Sequence, residues 1–234
     1  MVSSQHVADS LSRLAAAREC ARGQGSATQA GLGATGWERC LERNAEETLA
    51  RFPHIVLRPR SRVRYRYFGQ QGGDVRVRPF VAPEGFSLEQ AERLISWHPA
   101  PDSMSPTERA TPNADVELLY RHFTFPRTAH GYFDYWLVMQ ELWASSRWVH
   151  SAPIATEGEF LAVTRSPGWQ VLVPLERYEP AVAWEGNRAR LAVLVYCPLQ
   201  RFEIALQRID IDEQQALHYD EPIVVASGPR GYVL

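Results

Sequence analysis

Residues 120–150, YRHFTFPRTAHGYFDYWLVMQELWASSRWVH, decide the fold. They hold nine of the chain's 25 aromatic residues, three of its seven histidines and three of its seven tryptophans. Aromatic surface at this density drives association if it stays wet, so it must line a core, a cleft or a partner. Tyr132, Trp136, Met139 and Trp143 recur at three- and four-residue spacing, with Phe133, Leu137, Ala144 and Trp148 beside them. That period predicts one helix from about Arg127 to Val149, with Pro153 beyond its end. Its apolar face is too wide for a surface helix, and it reads as a core helix packed on several sides.

Working towards the N-terminus, residues 54–81 change to a period of two, and RVRYRYFGQQGGDVRVRPF reads as two strands joined around Gly72-Gly73-Asp74. Residues 87–97 read as a short helix opened by Ser87 and Gln90, residues 99–114 with four prolines as a loop, and residues 116–125 as a strand. Earlier still, helical spacing covers residues 5–22 (Val7, Leu11, Leu14, Ala15) and about 37–51 (Trp37, Cys40, Leu41, Leu49). The glycine-rich 23–36 between them reads as a linker, so residues 1–36 are expected as a mobile arm and 37–234 as one domain.

Towards the C-terminus, Thr156 and Glu159 form a capping-box signature for a short helix. From Trp169 onward the pattern is β, an antiparallel meander with a two-residue turn at Gly186-Asn187. Leu191–Tyr196 is apolar throughout, as in a central strand covered on both faces. In RFEIALQRIDI the apolar parity changes between Leu206 and Ile209, which predicts a bulge near Gln207. The expected class is therefore α+β: a mostly antiparallel sheet packed against a long aromatic-rich helix, with N-terminal helices.

Composition narrows the function classes. The chain has 234 residues, 45% hydrophobic and 22% charged, which suits an ordinary globular protein. No run approaches the roughly 18 apolar residues of a membrane span, and no secretory h-region is evident. Three cysteines (Cys20, Cys40, Cys197) without metal-ligand spacing suggest free thiols and a cytoplasmic location. All 25 basic residues are arginine, as in a GC-rich bacterial genome. The absence of lysine removes Schiff-base, P-loop and Ser-x-x-Lys chemistry.

The arginines are not spread evenly. Arg58, Arg60, Arg62, Arg64, Arg66, Arg76 and Arg78 stand against the single acid Asp74, seven minus one, or +6. Alternation puts Arg62, Arg64 and Arg66 on one strand face with Val63, Tyr65 and Tyr67 behind. If Tyr67 pairs with Val75, Arg66 opposes Arg76 and Arg64 opposes Arg78. Such like-charge pairs call for compensation. It can come from acids of residues 201–221, from solvent, or from an anionic partner. A protein or metabolite is favoured over nucleic acid, because the tyrosines point away from the arginine face and offer no base-stacking platform.

Candidate chemistry falls on the aromatic helix. His130, Asp134, Glu141 and Ser145 share one stripe, able to bind a divalent metal or perform acid–base work, although the plainer expectation is that the stripe faces water. His218-Tyr219-Asp220 offers a His-x-Asp pair on a strand, short of a third metal ligand unless His122 or His150 supplies it. Cys197 with His218 as base is a further option, a lone buried thiol being commoner. Ser227–Gly231 with Arg230 reads as a tight turn or an anion-holding backbone nest. No specific catalytic signature is present and no cofactor is indicated. The leading expectation is a binding or assembly protein engaging an anionic partner through Arg60, Arg62, Arg64, Arg66, Arg76, Arg78 and Arg230. The alternative is a small-molecule enzyme with a His/carboxylate site, with or without a metal, in an aromatic-lined cleft. A subunit of an oligomer or larger complex is a third.

Overall fold

In a computed structural model the chain adopts an α+β fold, described for residues 1–25, 34–71, 74–85, 119–144, 152–197 and 201–230. The expected helix at 87–97, the proline loop at 99–114, Gly72-Gly73, and the 145–149 end of the aromatic helix lie outside the described residues. No described helix is long and apolar enough to cross a membrane.

The aromatic helix, α3 (Ala129–Ala144), sits at the centre. From Gly131 to Leu142 every residue but Gln140 is buried. Trp136, Tyr135, Phe133, Leu137, Met139 and Leu142 lose essentially all contact with solvent, so the helix is walled on every side. One wall is helical. It is made of α1 (Ser4–Gly25) and α2 (Ala34–Arg51), which pack on each other. α1 contributes Val7, Leu14, Ala17 and Ala21 to the buried set, while Ala15 faces out. The first helix therefore shares the core with α3 and is no free arm.

A second wall is the antiparallel ribbon of β2 (Ser61–Gln71) and β3 (Asp74–Pro83). Its register differs from the expected one. Tyr67 pairs with Val77, Arg66 with Arg78 and Arg64 with Phe80, and the ladder shifts between Tyr67 and Gln70. The tip pair Gln71↔Asp74 lies three residues from the expected register and the irregularity takes back one, so Tyr67 meets Val77 and Arg66 does not face Arg76. Val63 and Tyr65 turn inwards, as alternation requires. Of the expected strand at 116–125, residues 116–118 lie outside the described residues, Leu119 and Tyr120 are helical, and Phe123–Thr124 form β4, paired with β1 (Val56–Leu57).

The third wall is the main sheet, ordered β5-β8-β9-β11-β6. Its strands are β5 (Ala152–Ile154), β6 (Gln170–Val171), β8 (Arg188–Cys197), β9 (Arg201–Ile211) and β11 (Ile223–Arg230). β7 (Ala181–Glu185) joins β8 beside β5, and β10 (Leu217–Tyr219) joins β9 beside β11. The β7–β8 hairpin turns at Gly186, whose φ of 62° suits a residue without Cβ. The capping box at Thr156/Glu159 opens α4 (Glu157–Thr164).

The bulge expected near Gln207 is absent: β8 and β9 pair without interruption from Ala189↔Ile211 to Cys197↔Glu203. The parity change has another cause. Ile209 and Ile211 join Leu191, Val193 and Val195 in the core that contains α3. Leu206 and Ile204 join Leu194 and Phe160 of α4 on the opposite face. One straight strand thus buries its two halves on opposite sides. Ser227–Arg230 is strand, with Ser227 opposite Glu203 and a register shift before Arg230, in place of a tight turn; Gly231 lies outside the described residues.

Candidate functional site

Of the stripe expected to face water, Asp134 and Glu141 are buried, His130 is exposed and Ser145 lies outside the described residues. Asp134 is fully buried and Glu141 is 1% exposed, and each charge meets partners from the helical wall. Gly131 explains how α3 enters there. A Cβ at this position would lie 2.0 Å from the Pro126 carbonyl oxygen, so only glycine lets the chain double back from Pro126 into the first turn. The Thr128 hydroxyl accepts from the Gly131 amide at 3.1 Å, satisfying one of the free donors of that turn.

Around Asp134 the fold gathers residues far apart in sequence. His6 Nε2 lies 3.0 Å from Oδ1, the Ser10 hydroxyl donates to Oδ1 at 2.6 Å, and His54 Nε2 lies 2.8 Å from Oδ2. His6 and Ser10 come from one face of α1; His54 comes from the turn after α2. An ionised carboxylate only accepts, so both imidazoles turn an N–H towards it, leaving Nδ1 of each neutral ring as the open lone pair. The two rings keep 19% and 28% of their side-chain surface, so their outer edges reach solvent while the carboxylate does not. His130, exposed in the first turn of α3, stacks flat on His6 with centroids 4.0 Å apart and planes 9° apart. Partial burial, reinforced by the charge of His6, holds the His130 imidazole below its ordinary value; Asp134 pulls the other way.

Glu141, two turns further along α3, receives the Arg18 guanidinium through Nε and Nη2 and the Asn44 amide at 2.9 Å. Near this pair, Tyr65 is fully buried and its hydroxyl makes no hydrogen bond among the described residues. Burial first, then Glu141 and Glu42, push the Tyr65 phenol far above its ordinary value. The Glu141 site is closed by an arginine, whereas the Asp134 site ends in imidazole edges at the surface.

The arginine ribbon is partly compensated from within: among the described residues the acids come from α2 and from Glu84, next to the end of β3. Arg64 pairs with Glu42 at 3.0 Å, and Arg62 lies 3.8 Å from both Glu46 and Glu84. The match is geometric: acids one helical turn apart are spaced about 6 Å, close to the ~6.6 Å between alternate strand residues. Arg58 and Arg60 are exposed. The side chains of Arg66, Arg76, Arg78 and Arg230 lie outside the described residues.

His218 and Asp220 do not form a pair. Asp220 falls beyond β10, and its amide donates to the Arg208 carbonyl, while His218 Nε2 meets Asp212 at 2.8 Å. Burial pushes Asp212 up, but the bonds from His218 and from the Ala216 and Gln214 amides outweigh it and hold this carboxyl low. No group of three or more His, Cys, Asp or Glu side chains among the described residues could hold a metal ion. Cys197 is half-buried and pairs with Glu203, whereas His218 pairs with Asp210, seven residues along β9. That separation of about 20 Å rules out a thiol–imidazole dyad.

Comparison with protein-family models, curated proteins and solved structures returned no match for this chain.

Proposed function

We propose that the protein is a small-molecule enzyme of the general acid–base class, with its reactive centre at the Asp134 end of the buried stripe. One observation carries the reading: a single buried carboxylate orients two imidazoles, His6 and His54, that keep open edges at the surface. A carboxylate behind an imidazole fixes its tautomer and stabilises its cation, the arrangement a base needs to take a proton and return it. The Ser10 hydroxyl donates to this fully buried carboxylate, and the dry surroundings strengthen both contacts. Two imidazoles on one acid allow one ring to accept a proton while the other donates. The substrate is small and polar, because the open edges of two rings offer hydrogen bonds over a small area.

The test is turnover. The purified chain is incubated with a mixed pool of small polar metabolites and with chromogenic esters and phosphodiesters, and conversion is followed by mass spectrometry and absorbance. His54→Gln and Asp134→Asn should each lower any conversion by roughly 10²-fold or more. Conversion by neither pool, or conversion that survives both substitutions, would remove the reading.

The arginine ribbon supports a second reading, docking of an anionic protein or metabolite. Its specific support is the register, which puts Arg66 directly opposite Arg78. The pairs from Glu42, Glu46 and Glu84 reduce the free charge and count against it. Retention on a polyanion column that is insensitive to Arg66→Glu with Arg78→Glu would end this reading.

A further inference from the structure

Three imidazoles stand at the open end of the buried stripe, and two of them already have Nε2 against Asp134. The third, His130, is exposed and lies face to face with His6. We propose that His130 is the substrate-facing base of this centre, stacked on the ring that meets Asp134. The proposal rests on reading the centre as an acid–base site and assigns the outward role within it.

The argument is geometric. Two imidazolium rings in parallel at 4.0 Å repel each other, so the stack accommodates one positive charge far better than two. The ring nearer the carboxylate is His6, with Nε2 3.0 Å from Asp134 Oδ1. Burial first, then His6, holds the outer ring below its ordinary value. The charged groups facing His130 are His6 from α1, Asp134 one turn along α3, and the amino group of Met1. His6 and the amine disfavour a charge on His130 and Asp134 favours it; with partial burial the balance goes to the neutral form. An exposed neutral imidazole can accept a proton from a bound hydroxyl, thiol or water, and the stack then carries that one charge with Asp134 behind it.

Diethyl pyrocarbonate tests this without knowledge of the substrate, since it acylates neutral imidazole nitrogen with release of ethanol and carbon dioxide. The full chain is treated with limiting reagent between pH 5 and 8, digested with trypsin, and the acylation of each histidine is followed by mass spectrometry. His130 should react several-fold faster than His6 and His54. Its midpoint should lie below that of N-acetylhistidine under the same conditions. His6→Phe keeps an aromatic ring in the stack and removes the titratable group, and should move the His130 midpoint up towards the control. A His130 profile that coincides with N-acetylhistidine in the wild-type chain overturns the proposal. So does an unchanged midpoint in a His6→Phe variant whose circular dichroism matches wild type. Should His6→Phe not fold, an NMR titration of His130 in the wild-type chain decides the same point by the same criterion. Loss of turnover in His54→Gln and Asp134→Asn is a separate result, so failure of the His130 role and failure of the acid–base reading are told apart.

Discussion

Replacing Arg18 with methionine measures how firmly the first helix is bound to the core. The guanidinium reaches Glu141 through two nitrogens, and among the described residues Asn44 is the other donor to that carboxylate. Glu141 is 1% exposed, so without Arg18 a carboxylate is left in the interior with one neutral donor. Breaking a buried pair from one side costs about 3–5 kcal/mol. Arg18 is 20% exposed, which gives water a route to the orphaned acid and favours the lower end, about 3 kcal/mol. For a chain of this size each kcal/mol moves the melting temperature by about 2–4 °C, so Arg18→Met should lower Tm by about 6–12 °C. The double variant Arg18→Met with Glu141→Leu removes both charges and should return to within about 1 kcal/mol of wild type, a coupling of at least ~2 kcal/mol. Thermal and urea unfolding followed by circular dichroism read all three. A shift below about 2 °C for Arg18→Met, or simple additivity in the double variant, would refute the buried pair and with it the docking of α1 on α3.

Gly131→Ala gains helix propensity of about 1 kcal/mol, yet its Cβ would lie 2.0 Å from backbone oxygen of Pro126, so a net loss of about 1–3 kcal/mol is expected; an unchanged or raised Tm would contradict the close approach. Stability should also fall on acidification in two windows. His122, chiefly by burial and then by Arg58, and His130 both have imidazoles held below 6.5, so the unfolded chain binds their protons more readily and stability drops as the pH falls through 6.5. Asp210, held low chiefly by its bond from Arg190, and Asp212 add stability that is present above 3.8 and is lost as the pH falls below it. Urea midpoints at pH 7.5, 5 and 3 check both, and His122→Gln should flatten the first window; a midpoint that rises between pH 7.5 and 5 would reverse the sign argument.

The central helix was legible because its signal is dense. Tyr132, Trp136, Met139 and Trp143 at helical spacing allow few alternatives to a buried helix, and the cap at Thr156/Glu159 and the turn at Gly186 are local chemistry that tertiary context did not override. The bulge near Gln207 failed for a physical reason: apolar parity records which face is covered, and β9 is covered on different faces along its length. The ribbon register failed because neither the tip pair Gln71↔Asp74 nor the one-residue irregularity between Tyr67 and Gln70 has a side-chain signature that fixes its position. In the candidate site, sequence spacing placed His130, Asp134 and Glu141 on one stripe correctly but could not say what the stripe faces. The missing signal lay in α1. His6, Ser10, Leu14 and Arg18 fall four residues apart, a stripe whose polar members answer Asp134 and Glu141 in order while Leu14 fills the gap between them. A reading that follows only the apolar positions of an amphipathic helix discards such a pattern as the wet face. Two helices carrying complementary polar stripes at the same four-residue interval bury them against each other, because each unpaired charge in the interior costs more than the ordering of the partner that satisfies it. His54 offered no comparable sign. Its place depends on the turn that returns the chain from α2 to β1, and only the folded chain brings it to Asp134.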